Sequence, residues 1–172
     1  MGTMKKNNPL KKKNILLVDD ERDVLDSLEE ELEMCNLHKA MDFDAACRCL
    51  ERNRYDIVVL DIMGVNGFEL LKIAVSKGYP TVMLTAHALT PEALKKSIKL
   101  GAISFLPKEE MMHMREFLEE VVLYDQKSLW INLFDRLSCY FNKLFGPDWK
   151  EKDRFFKEFE ESLRKSEEGA FL

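Results

Sequence analysis

Five residues of this chain have side chains that do chemistry and occupy corresponding places in the sequence: Asp19, Asp20, Asp61, Thr85 and Lys108. Each closes a short apolar run. "NILLVDD" (14–20) ends in two acids and "YDIVVLD" (55–61) in one. "PTVMLTA" (80–86) carries Thr85 near its end, and "ISFLPK" (103–108) ends in a lysine. Alone, such an Asp is ordinarily a turn or capping residue, and an acidic pair before a helix often just complements the helix dipole. Brought together, the five have a different meaning. Three close carboxylates cannot all stay ionised unpaired, and repulsion raises at least one pKa. A hard divalent cation resolves that conflict, and Mg²⁺ suits two or three carboxylates with some waters retained. A lysine and a hydroxyl opposite would hold the remaining oxygens of a phosphoryl group. Phosphoryl transfer needs mostly positioning and charge neutralisation of this kind. Asp61 is the natural nucleophile, giving an acyl phosphate.

The elements that must position these residues follow from hydrophobic periodicity. Strands are expected at 14–20, weakly at 38–43, and at 55–61, 80–86 and 103–108. Between them, 24–35, 44–53, 67–78 and 90–102 read as helices, and another helix follows 108. In 24–35, Val24, Leu25, Leu28 and Leu32 share one face. Gly78 suits a helix C-terminus, and Thr90-Pro91 suits a helix start. Five β-then-α units imply an α/β fold with a five-stranded parallel sheet covered on both faces. Right-handed crossovers make a doubly wound sheet the economical topology. Its strands' carboxyl ends form one crevice, where the five residues would meet.

Composition narrows the classes. At 46% hydrophobic and 33% charged, the 172 residues should fold, with room for one ordinary domain and an appendage. A net charge of -5 argues against a nucleic-acid partner. No apolar run approaches the roughly 18 residues of a membrane span. The start, "MGTMKKNNPLKKKN", lacks a signal peptide's apolar stretch, and residues 1–12 read as a basic flexible tail. Met1-Gly2 suggests a myristoylation start, but Lys6 stands where Ser or Thr is wanted. Cys35, Cys47, Cys49 and Cys139 have no metal spacing and read as reduced thiols of a cytoplasmic protein.

The motifs resemble the receiver domain of two-component response regulators. "ILLVDDE" is similar to the family's first strand with its acidic pair, and "DIVVLDIM" to its phospho-acceptor strand. "VMLTA" is similar to the segment with the switch hydroxyl, and "GAISFLPKE" to the one with the lysine. The resemblance covers residues 12 to 124 and implies a receiver domain at 13–124, with the flavodoxin-like strand order 2-1-3-4-5. It implies a phosphorelay protein that takes a phosphoryl group on Asp61 from a histidine kinase or phosphotransfer protein. Its only catalysis would be its own phosphorylation and dephosphorylation. Asp20 would bind Mg²⁺ directly and Asp19 mainly through water, with Asp61 and the backbone carbonyl of Met63 completing the protein ligands. Thr85 and Lys108 would hold phosphoryl oxygens. Phe105 stands at the aromatic switch position, which turns inward as Thr85 moves, changing the helix 4–strand 5–helix 5 face. Met63 and His87 stand where the family varies its dephosphorylation rate. One departure concerns the loop after the acceptor. Asp61 is followed by "IMGVNG", about two residues shorter than the family's form and without its proline. Gly64 and Asn66-Gly67 can supply the tight turn.

Residues 125–172 are expected to form a helical extension that serves for dimerisation or output. Residues 124–172 hold 11 of the chain's 17 aromatics, with 9 Lys/Arg against 10 Asp/Glu. That is too aromatic for a disordered tail and not basic enough for a typical DNA-binding module. Trp130, Leu133, Phe134, Leu137, Phe141, Leu144 and Phe145 fall at helical spacing up to Gly146-Pro147. Asp148, with Glu151 three residues on, suits the start of a second helix, whose apolar side is Phe155, Phe156, Phe159 and Leu163. The product is a helical hairpin, packed on the receiver and itself, forming a homodimer, or offering a surface to another partner.

Three other classes fit the sequence less well. An aspartyl-phosphate phosphatase needs a second acid two residues after the nucleophile, where this chain has Met63. A phosphorylation-independent interaction module on a receiver fold usually lacks an acid, the hydroxyl or the lysine, and all are present here. A DNA-binding hairpin is disfavoured by the near-neutral charge.

Overall fold

The computed structural model describes residues 7–86 and 90–168. Five strands form one sheet: β1 (Asn14–Val18), β2 (Asn36–Ala40), β3 (Ile57–Asp61), β4 (Thr81–Thr85) and β5 (Ser104–Pro107). All neighbouring pairs are parallel, in the order β2-β1-β3-β4-β5. This is the doubly wound topology that the alternation of elements implies. β3 and β4 lie inside the sheet and every residue of both is buried, which explains their continuous apolar runs. β2 is an edge strand and mostly exposed, which explains its weak pattern.

The connecting helices are α1 (Arg22–Glu31), α2 (Phe43–Arg52), α3 (Gly67–Ser76), α4 (Pro91–Lys99) and α5 (Met114–Leu123). Two of their starts are capped by side chains, and one of their ends by a backbone turn. Asp42 Oδ1 accepts from the Ala45 amide at 2.7 Å, capping α2. Thr90 Oγ1 accepts from Ala93 at 3.1 Å, with Pro91 at the first helical position of α4. α3 ends with Gly78 N–H donating to Val75 and Tyr79 N–H donating to Ala74, a Schellman turn. The strands are shorter than the sequence suggests, so Asp19 and Asp20 lie just past β1. Lys108, expected to end the fifth strand, and residues 109–113, expected to begin the next helix, form a separate 3₁₀ helix, Lys108–His113. The basic segment also differs from expectation. Residues 8–13 form hydrogen-bonded turns, and Leu10 is fully buried in the core. Residues 1–6 and His87 lie outside the described residues.

Tyr124 is extended and breaks the chain after α5, and Asp125 Oδ1 caps the next helix by accepting from Ser128 at 2.8 Å. The C-terminal third is a hairpin in the broad sense, with both arms broken. The first arm is α6 (Gln126–Arg136) and α7 (Ser138–Phe145), interrupted at Leu137 (φ -102°, ψ 13°). The chain turns at Gly146-Pro147 into α8 (Trp149–Lys152) and α9 (Arg154–Glu168). The expected capping box at Asp148 does not form. Asp148 makes no side-chain cap bond, whereas Asp153 Oδ1 accepts from the Phe155 amide at 2.9 Å. The break at Leu137 also rotates the seam, and Leu144, expected on the apolar face, is exposed.

The aromatic side chains are used within the chain. Trp149 packs edge-on against Phe141, Phe145 and Phe156, and Phe134 meets Phe141 and Phe159. The hairpin then lies on the β5 side of the sheet. α6 packs along β5 and against α5. Arg136 ion-pairs with Glu120, and Lys95 of α4 ion-pairs with Asp153. The ammonium groups of Lys95 and Lys99 lie 5.7 and 5.2 Å from the centre of the Phe155 ring. Among the described residues, no helix is long and apolar enough to cross a membrane.

Candidate functional site

Register decides which side chains meet. Val18 pairs with Leu60, so the next residues, Asp19 and Asp61, stand level at the carboxyl ends of β1 and β3. Asp61 pairs with Leu84, which puts Thr85 one step further along β4. Thr85 pairs with Pro107, which puts Lys108 one step further still. Each strand in this half of the sheet therefore delivers one polar side chain to the same rim. The rim encloses a cleft of about 240 Å³ lined by Asp20, Glu21, Asp61, Met63, Gly64 and Lys108, with Ala86 behind.

Asp19 is 1% exposed, Asp61 4% and Thr85 1%. Lys108 Nζ lies 2.8 Å from Asp19 Oδ2, 3.2 Å from Glu21 Oε1 and 3.6 Å from Asp61 Oδ1. One ammonium thus faces three carboxylates, and it does not neutralise them. Burial, then the charge of Asp19, pushes Asp61 up to about 7, with Lys108 offsetting part of this. Burial also raises Asp19, against the bond from Lys108. For Lys108, burial disfavours the charge, but Asp19, Asp61 and Glu21 outweigh it and hold the ammonium above its usual value. The Thr85 hydroxyl oxygen is buried and has no hydrogen-bond partner among the described residues. A buried polar group without a partner carries a cost that a ligand oxygen would relieve.

The residues expected at the site are brought together: Asp19, Asp20, Asp61, Thr85 and Lys108 share the rim. Phe105 is fully buried in β5. Met63 lines the mouth with its side chain exposed. Glu21 is the residue that sequence reasoning missed. It follows the acidic pair directly, and its bond to Lys108 makes it part of the same network. Ligand oxygens of Asp19, Asp20 and Glu21 lie within 4.8 Å of one another, close enough to share a cation. The donor set is all oxygen, and the carboxylates are short of positive charge, so Mg²⁺ fits the residues present.

The short loop after Asp61 is shaped by two glycines. Gly64 has φ +82°, and a Cβ there would overlap the Asp20 carboxylate. The loop therefore closes directly against one of the acids. Gly67 opens α3, donating its N–H to Ile62 O at 3.1 Å. A Cβ on Gly67 would overlap the Asp61 carbonyl oxygen and sit 2.8 Å from Ile62 Cα. Both neighbours are backbone and cannot swing aside. Ala would ordinarily favour a helix start, but overpacking outweighs that here. Gly67→Ala should destabilise the fold by about 2–3 kcal/mol, measured by urea unfolding. A stability equal to the native chain's would contradict the packing described.

Comparison with known proteins gives a consistent set of relatives. The family model "Response regulator receiver domain" matches residues 15–121. The Arabidopsis thaliana two-component response regulator ARR18 is 35% identical over 139 residues, covering 77% of this chain and 20% of that protein. The Escherichia coli transcriptional regulatory protein CpxR is 33% identical over 121 residues, covering 67% of this chain and 50% of that one. The chain thus spans between a fifth and a half of the length of these curated relatives. Among solved structures, the non-phosphorylated HemR receiver domain of Leptospira biflexa is similar, with TM-score 0.56 and 33% identity, over 66% of this chain and 97% of that one. A CheY-like receiver domain protein of Methanospirillum hungatei gives TM-score 0.59 and 25% identity, over 65% and 94%. Helices α6 to α9 lie outside the stretch that the family model matches.

Proposed function

This chain belongs to the response regulator receiver domain family, and from that premise we propose that it accepts a phosphoryl group on Asp61 from a phosphohistidine of a sensor kinase or phosphotransfer protein. One observation carries the proposal. A buried carboxylate at the end of the central strand faces a lysine at 3.6 Å, with the buried Thr85 hydroxyl close by in the register and without a partner among the described residues.

The chemistry follows from the side chains. An Asp61 carboxylate oxygen attacks phosphorus, the bond from phosphorus to the donor imidazole breaks, and its electron pair stays on that nitrogen. The ionised form of Asp61 is the nucleophile, and burial beside Asp19 opposes that form. Mg²⁺, held by Asp20, Asp61, the Met63 carbonyl and, through water, Asp19, would supply the charge that keeps these carboxylates ionised and neutralises the arriving phosphoryl oxygens. Lys108 exchanges part of its contact with Asp19, Glu21 and Asp61 for a phosphoryl oxygen. Thr85 donates its hydroxyl to another and so gains the partner it lacks. Movement of Thr85 is passed to Phe105 and to the β5 side of the sheet. The same residues, with water as nucleophile, account for the return to the free carboxylate.

The test is intact-mass analysis after incubation with acetyl phosphate. One added phosphoryl mass is expected with Mg²⁺, little without it, and none in Asp61→Asn. Equal labelling of native chain and Asp61→Asn would overturn the assignment.

A further inference from the structure

The site's lysine opens a short segment that Met111 packs, half-buried, against the core. The 3₁₀ helix Lys108–His113 has no buried residue and no side-chain cap. Inside the site, Lys108 is held by Asp19 at 2.8 Å and Glu21 at 3.2 Å. A further side-chain bond comes from the C-terminal hairpin: the Tyr140 hydroxyl donates to Glu109 Oε2 at 3.1 Å. Glu109 is the residue next to Lys108, and Tyr140 lies 31 positions away in sequence. Tyr140 is itself anchored, edge-on against the fully buried Phe141. A continuous path thus runs from the aromatic cluster of the hairpin to the ammonium that faces Asp61.

We propose that Tyr140 is a positioning residue for Lys108, acting through Glu109, so that docking of the C-terminal hairpin and occupancy of the Asp61 site favour each other. The proposal rests on the reading of Asp61 as phosphoryl acceptor. The sign follows from the geometry. With the hairpin docked, the start of the 3₁₀ helix is tied and Lys108 stands over the cleft. Without that tie, ordering the segment becomes part of the cost of binding a phosphoryl group. Linkage then requires that a phosphoryl group tighten the hairpin's hold as much as the hairpin tightens the site's hold.

The chain's two tryptophans, Trp130 and Trp149, both lie in the hairpin, so tryptophan fluorescence reports that layer alone. The full chain is titrated with beryllofluoride in the presence of Mg²⁺, and labelling by acetyl phosphate is followed by mass in parallel. A saturable fluorescence change is expected. Tyr140→Phe, which removes only the hydroxyl, should raise the half-saturating concentration about three- to tenfold. Glu109→Ala should do the same, and the double variant should add nothing. A purely structural role would lower thermal stability with and without ligand alike and leave half-saturation where it is. A chain that labels normally while its fluorescence stays flat overturns the coupling. So does Tyr140→Phe titrating like the native chain. Loss of labelling in the native chain overturns the reading of Asp61, and the coupling with it.

Discussion

In metal-free buffer at pH 8, Asp61→Asn is expected to be more stable to urea than the native chain by about 1–3 kcal/mol. The gain should vanish as pH falls toward 4. Burial and the neighbouring Asp19 raise the Asp61 pKa from 3.8 to about 7 in the folded chain. A group whose pKa is raised on folding contributes stability below its unfolded pKa, and that stability is lost as pH rises through the folded value. Above pH 7 the ionised carboxylate is therefore a cost, of at most about 4 kcal/mol for a shift of this size. Asn removes the charge and keeps the shape. Lys108 also loses a partner at 3.6 Å, so the gain falls short of that ceiling. Mg²⁺ should reverse the order, stabilising the native chain and leaving Asp61→Asn nearly unmoved. If Asn were destabilising at pH 8 without metal, Asp61 would be a satisfied structural acid, and the strained, ligand-seeking site described here would be wrong.

The second large effect belongs to the hairpin. Trp149→Ala should destabilise it by about 3–5 kcal/mol. Trp149 is buried among Phe141, Phe145, Phe156 and Phe134, and its indole N–H donates to Asn142 Oδ1 at 3.2 Å. Trp149 thus joins α6, α7 and α9 from the short helix α8. Its removal leaves a cavity that a four-residue helix cannot collapse to fill. Because the hairpin has its own aromatic cluster, the loss should be local. Hydrogen exchange is expected to rise across 138–165 while β1, β3 and β4 keep their protection. Uniform loss across sheet and hairpin would instead mean that the two fold as one cooperative unit.

The candidate site was legible in the sequence because a parallel sheet makes it so. β3 and β4 are buried on both faces, so their residues read as unbroken apolar runs. A polar residue ending such a run stands out. Register then does the rest, since one-residue steps from Val18–Leu60 to Thr85–Pro107 carry four strand ends to one rim. The hairpin was legible only in outline. Its amphipathic spacing is visible, but the break at Leu137 and the cap at Asp153 depend on which backbone amides are left free after the turn. Periodicity does not encode that. The buried Leu10 was hidden by the lysines around it. The contacts that tie the hairpin to the receiver, Tyr140 to Glu109 and Asp153 to Lys95, join surface positions far apart in sequence. Nothing in their local pattern names the partner. Glu21 shows the opposite case: its position beside the acidic pair was a usable signal, since a third acid next to two others competes for the same cation.

The central claim is that Asp61 becomes an acyl phosphate, and the chemistry of that bond offers the most direct measurement. The chain is treated with acetyl phosphate and Mg²⁺ and then reduced with borohydride, which converts an aspartyl phosphate to homoserine. Peptide sequencing by mass spectrometry should find homoserine at position 61, dependent on Mg²⁺. Reduction at Asp19 or Asp20 instead, or at no aspartate at all, would contradict the account.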